Sequence, residues 1–342
     1  MKPFLLFGFV VLALTACVGG DVKPLSSAEK PTPDWFLNPP PDTARQLYGV
    51  GEGGGRKDAV QAALVDIASK LSVQVSATFQ SHLQVTQSNY EYAERTSEKQ
   101  IQSQVANIQL RDYQVERAER LGYGKTVALV ALDRQALFED LRRQQDAQMQ
   151  TLQTAESAHQ KDGAFGQYVF YRRSLDALAE FRQRLWILQT LRAGFEAQPY
   201  SDFLQGFEAQ AARLKAEMRL AVTADAGAKR LVGPLQGALS QAGFQMAKTT
   251  RPGEKAQIRL MAEVAQSQAY GFYIERMALN IRALSDGVQI GGHKLNLKGQ
   301  ATHSFEQARE NLTVKFQQLL QSQGLNAVIG VSLLPVQAEQ AN

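Results

Sequence analysis

The chain has 342 residues, of which 44% are hydrophobic and 20% charged, with one cysteine and a formal net charge of +4. This composition excludes a disordered or collagen-like chain and leaves enough apolar material for two or three cores. An excess of 37 Lys+Arg over 33 Asp+Glu is too slight for a whole-surface nucleic-acid binder. A single cysteine excludes an internal disulfide framework, a CxxC redox pair and a cysteine-rich zinc site.

The first residues account for that cysteine. Met1-Lys2 is a short positive start, and Phe4 to Ala13 is an unbroken apolar run. The run is too short for a membrane core of about 30 Å, which needs about 20 helical residues, so it reads as a secretory signal rather than a retained span. Leu14-Thr15-Ala16-Cys17 resembles the bacterial lipobox. The resemblance implies a diacylglyceryl group on the Cys17 thiol, cleavage after residue 16, and a mature chain anchored by its acyl groups. A signal with a chance cysteine, cut after Ala16, is the plainer alternative. Val18-Gly19, rather than an Asp, follows the cysteine. By the same resemblance this implies the outer membrane, periplasmic face, as destination. Residues 17–33, rich in Pro, Ser and charge, read as a tether of at most about 50 Å.

From 34 to 133 the pattern is that of an α+β domain. Trp35 and Phe36 precede a proline stop and read as a plug on the edge of a core. Gln46 to Gly53 predicts a strand, followed by a glycine turn and a helix whose Val60, Ala63, Leu64, Ile67 and Leu71 share one face. Gly49, Gly51 and Gly54 formally spell GxGxxG, but a dinucleotide fold needs a fully buried first strand and an acidic residue ending the second. The alternation in Ser72 to Phe79, extended through Leu83 to Val85, predicts a half-exposed antiparallel strand instead. Ala93 to Val105 is helix-compatible, and Asp112 to Leu132 reads as a hairpin closing an antiparallel sheet. Glu116, Arg117, Glu119 and Arg120 in that hairpin read as a solvated strand face.

Asp34-Trp35-Phe36, Tyr48-Gly49-Val50-Gly51-Glu52-Gly53, Ala62-Ala63-Leu64 and Ile67 to Val73 together resemble the LPP-twenty type of bacterial lipoprotein domain. The resemblance covers about residues 34 to 140. It implies an α+β domain on an outer-membrane lipoprotein, and for some members a part in assembling the flagellum or its outer-membrane collar. It brings no enzymatic residues.

Residues 134–217 change to helical period. Gln135 to Ala158 and Phe165 to Phe195 form a hairpin broken at Asp162-Gly163, and Ser201 to Met218 adds a third helix. Imperfect heptads favour an intramolecular spacer over a homo-oligomerising coiled coil. Residues 218–334 form a second α+β module: a strand from Arg219, a helix capped by Asp225 and ended by Gly243, and strands at 244–248, 258–264, 272–284 and 288–304. Helix Phe305 to Gln323 and strand Ala327 to Val331 follow, with 335–342 as a tail. The fold class is therefore α+β, two antiparallel-sheet and helix modules joined by a long helical hairpin.

Catalytic constellations do not emerge. His82, His159, His293 and His303 are scattered, without HExxH or HxH spacing, so neither a metal nor a cofactor is expected; His293 and His303 could at most face each other across a hairpin. GxSxG and Walker A patterns do not occur. The sharpest charge feature is the basic excess from Arg219 to Ser304. Lys229, Arg230, Lys248, Arg251, Lys294 and Lys298 are candidate contacts for an anionic partner such as lipopolysaccharide phosphate, peptidoglycan carboxylates or an acidic protein. The expected function is a non-enzymatic envelope assembly or scaffold lipoprotein, with no nucleic-acid partner. A regulator or glycan-binding module acting on a cell-wall enzyme is the alternative.

Overall fold

The computed structural model describes residues 30–85, 108, 110–247 and 255–335. Ala93 to Val105, the signal, Cys17 and the last seven residues lie outside them. The fold class is α+β.

The first sheet holds β1 (Gln46–Gly53), β2 (Tyr113–Gly122) and β3 (Lys125–Asp133) in the antiparallel order β1-β3-β2. Ahead of it, the four-residue α1 (Asp34–Leu37) carries Trp35 and Phe36, both half-buried. Across β1 and β3 lies α2 (Arg56–Val85), which runs straight through the segment expected as a second strand. The reason is a spacing of four: Ala59, Ala63, Ile67, Leu71, Val75 and Phe79 are all buried, one stripe on one helix face. Val73, which a strand would place beside Val75, is 69% exposed.

The middle layer consists of α3 (Arg134–His159), α4 (Ala164–Leu191) and α5 (Gln198–Glu217). Asp133 caps α3 by accepting from the Ala136 N–H at 2.9 Å, and Arg134 donates to the Thr190 and Leu191 carbonyls at the end of α4. These helices are not a solvated strut. Phe165, Tyr168, Leu178, Phe181 and Leu185 of α4 belong to the core of the second module, whereas Ile187, Leu188 and Leu191 of the same helix belong to the core of the first. Between them Gln145 is fully buried, donating to the Phe181 carbonyl at 3.0 Å and accepting from Arg184 at 3.1 Å.

The second sheet comprises β4 (Arg219–Ala224), β5 (Gln245–Met246), β6 (Ala256–Ala269), β7 (Phe272–Ser285) and β8 (Val288–Ala301), ordered β5-β4-β6-β7-β8. It is mixed, because β4 runs parallel to both β5 and β6. A connection through α6 (Val232–Gln241) returns the chain to the same end of the sheet and imposes that direction. Asp225 performs two tasks here: one carboxylate oxygen accepts from Ala228 N–H at 2.9 Å and the other from Ala262 N–H at 2.8 Å. Helix α7 (Phe305–Ser322) packs its Ala308, Leu312, Phe316 and Leu320 on one face of the sheet. The strand expected at Ala327 to Val331 is instead the end of α8 (Gly324–Ile329), stopped by Gly330 at φ 78°. Asn326 holds the following turn, accepting from Leu333 and Leu334 N–H and donating to the Leu334 carbonyl.

In both modules a helix reaches over an outer strand. Asp42 and Asp66 accept from the Tyr48 and Val50 N–H groups of β1 at 2.9 and 3.1 Å, and Lys70 donates to the Tyr48 carbonyl at 3.1 Å. On β8, Asn311 and Lys315 of α7 donate to the Gln300 and Lys298 carbonyls, each at 2.7 Å.

Candidate functional site

The glycine motif is a packing device. Gly49, Gly51 and Gly53 sit on the face of β1 that meets α2, and an added Cβ would lie 2.2 Å from the Ala63 carbonyl oxygen, 2.2 Å from the Ala63 nitrogen and 2.5 Å from the Ala59 nitrogen respectively. Strand and helix backbones touch, with alanines opposite glycines, and the space a pyrophosphate would need is filled. Gly54, the third glycine of the formal fingerprint, has nothing closer than the Asp58 carboxylate at 3.6 Å.

His159, His293 and His303, the histidines whose side chains are described, do not converge. His293 lies on β8 in register with Ile281, and His303 lies beyond the opposite end of that strand, its Nδ1 2.8 Å from Thr302 Oγ1. They do not face each other across the hairpin, since both belong to one side of it. His159 Nδ1 is 2.6 Å from Asp162 Oδ2 and its ring stacks on Phe170. Among the described residues no group of three His, Cys, Asp or Glu could hold a metal ion.

The basic candidates divide. Leu14, Thr15, Ala16 and Cys17, together with Lys248 and Arg251, fall outside the described residues. Lys229 and Arg230 occupy a short 3-10 turn in the helix layer, where Arg230 pairs with Glu306 of α7. Lys294 and Lys298 project from the other side of the sheet, the one α7 does not cover. There they meet three arginines that the sequence did not single out. The register sets Arg259 of β6 opposite Arg282 of β7, Arg276 of β7 opposite Lys298 of β8, and Asn280 opposite Lys294.

All five cations are exposed, and Glu263 is the only carboxylate of β6–β8 on that face. Among the described residues none of the five has a carboxylate within ion-pair distance. Arg259 donates to the Gln257 side chain and Arg276 to the Ser267 hydroxyl, each at 3.1 Å. Several arginines elsewhere do have a carboxylate partner: Arg172 with Asp176, Arg182 with Glu208, Arg192 with Glu139, Arg309 with Glu275. The middle of the face is an open trough of about 540 Å³ with Ala265 and Ala278 in its lining and Glu263, Arg276, Asn296 and Lys298 around them. Guanidinium and ammonium heads so placed can donate to phosphate or carboxylate oxygens.

The perturbed groups lie in the helical layer instead. Burial pushes Tyr168, Tyr171 and Tyr200 up to about 12, helped in the last two by their hydrogen bonds to Glu156 and Asp146. Burial likewise lowers Arg184. These groups tie helices together and line no cavity of the sheet face.

Residues 33–133 match the model of the LPP20 lipoprotein family. The match spans the first module, the segment whose tryptophan, glycine and alanine motifs resemble that family. No curated protein matches the chain. Among solved structures, the secreted protein HP1454 from Helicobacter pylori is 16% identical with a TM-score of 0.41, covering 81% of this chain and 98% of its own. A minor lipoprotein from Acinetobacter baumannii is 13% identical with a TM-score of 0.25, covering 32% of this chain and 88% of its own. No helix among the described residues is long and apolar enough to cross a membrane.

Proposed function

We propose that this protein is a lipoprotein anchored by acylated Cys17 in the outer membrane, with its folded body on the periplasmic side acting as a non-enzymatic assembly component of the cell envelope. The LPP20 match over residues 33–133, behind a signal ending in Leu14-Thr15-Ala16-Cys17, is the observation that carries the reading. The shared helix α4 supports the structural role: contributing side chains to both cores, it makes each module part of the other's support. A flagellar collar is the assembly that the family resemblance brings forward.

Two measurements test this. Membrane fractionation of a Cys17→Ser variant is expected to move the protein out of the outer-membrane fraction; a variant retained there in full refutes lipid anchoring. Deletion of the gene is expected to impair motility, and normal swimming with altered cell-wall enzyme activity would move the assignment to a wall regulator.

A further inference from the structure

We propose that the uncovered face of β6–β8 is a docking surface for an anionic lipid bilayer. Phosphates would meet Arg259, Arg276, Arg282, Lys294 and Lys298, and the aromatic tip of the β6–β7 hairpin would enter the headgroup layer. The proposal is independent of Cys17 acylation, since it concerns a surface of the opposite module.

Charge comes first. Two directly opposed like-charge pairs, Arg259 with Arg282 and Arg276 with Lys298, repel across neighbouring strands. With no ion pair among the described residues to offset that repulsion, the face is complementary to a polyanion.

Shape comes second. Each of the three strands has 14 residues, so the face is about 45 Å long and two strand spacings, about 10 Å, wide. Small Ala265 and Ala278 keep its middle low. A long, open, shallow surface suits a plane of headgroups better than one small ligand.

The hairpin tip distinguishes lipid from an acidic protein. Tyr270 is 99% exposed at φ 53°, next to Gly271, and Phe272, 36% exposed, lies on the same face as Arg276. A bulky residue at positive φ is uncommon, and here it turns an aromatic ring wholly into solvent. Aromatic rings adjoining cations favour the interface, where the ring is half-buried and the charge stays with the phosphates.

The test uses the mature chain with Cys17→Ser, so that no acyl chain contributes, sedimented with phosphatidylcholine vesicles with and without phosphatidylglycerol. Binding is expected only to the anionic vesicles and is expected to weaken with salt. The Arg276→Gln/Lys298→Gln pair is expected to weaken it about 25-fold, from about fivefold per cation near an anionic surface. Tyr270→Ser is expected to weaken binding while leaving its salt dependence in place. Lys229→Gln, on the helix side, serves as the control and is expected to bind as wild type. The same unfolding transition in each variant shows that the change is local. Failure to bind anionic vesicles, or equal binding by the double variant, overturns the proposal. Binding to polyglutamate without binding to vesicles also overturns it, in favour of an acidic protein. None of these outcomes bears on the Cys17 fractionation.

Discussion

Replacing Gly51 by alanine puts a methyl group where α2 already stands. The new Cβ would lie 2.2 Å from the Ala63 nitrogen and 2.3 Å from the Ala59 carbonyl oxygen, against an ordinary separation of about 3.5 Å. Strand and helix would have to part by about 1 Å. No rotamer change can relieve the clash, because both atoms are helix backbone. Overpacking costs about 1–3 kcal/mol, and two rigid opposing surfaces place this site at the upper end. Taking about 3 kcal/mol and about 2–4 °C per kcal/mol for a cooperative unit of about 150–250 residues, the melting temperature should fall by about 6–12 °C. Thermal and urea unfolding followed by circular dichroism measure this directly. Gly54→Ala, whose nearest neighbour is 3.6 Å away, is the comparison, and should change stability by no more than about 0.5 kcal/mol. If Gly51→Ala melts with the wild type, or if both alanines are equally harmful, close strand–helix packing is not what the glycines serve.

Three further outcomes follow from side chains in the two cores and their edges. Arg309→Ala strands the fully buried Glu275 carboxylate, which Arg309 approaches at 3.3 Å and Gln266 at 2.8 Å. The loss should be about 2–3 kcal/mol, below the usual cost of breaking a buried pair because Arg309 is 35% exposed, and a urea midpoint equal to wild type would contradict it. Asp66→Ala removes the acceptor of the Val50 N–H and should speed exchange of that amide, with about 1 kcal/mol of destabilisation; unchanged exchange at Val50 would show the edge is shielded some other way. Tyr168, Tyr171 and Tyr200 have folded values raised to about 12 from 10, so the stability they contribute is complete below pH 10 and is lost as pH rises from 10 through 12. In an absorbance titration of the folded chain these three should ionise only near pH 12; all ten tyrosines titrating together near pH 10 in a folded chain would refute the coupling.

Much of this architecture was legible because two periods differ so clearly. Strands at Gln46–Gly53 and Phe272–Ser285 and helices at Phe305–Ser322 and Ala164–Leu191 follow from spacings of two and of three to four. Ser72 to Phe79 defeated that reading because Val73, Val75, Ala77 and Phe79 alternate as in a strand, although only Val75 and Phe79 lie on the buried helix stripe. Only the stripe starting at Ala59, thirteen residues earlier, decides between them. Ala327 to Val331 misled because a short β-branched run can also finish a helix, here ended by Gly330 at φ 78° with Asn326 holding the turn that follows. The basic face was half legible. Lys294 and Lys298 lie four apart on one strand and share a side by elementary alternation. Their arginine neighbours depend on which residue of β6 and β7 stands opposite, and that register is a property of the folded sheet. The fold also separates Arg230, in a 3-10 turn on the helix side and matched with Glu306, from the lysines with which charge counting grouped it.

Asp42, Asp66 and Lys70 on β1, and Asn311 and Lys315 on β8, occupy backbone groups that a neighbouring chain would otherwise use to extend the sheet. Proteins held on a surface are crowded in two dimensions, where sideways strand pairing would turn neighbours into a continuous ribbon. With these two margins occupied by the chain's own side chains, copies gathered on a membrane can touch there without fusing. At these two margins, contact between copies is left to side chains, which can be changed one at a time without unravelling the fold.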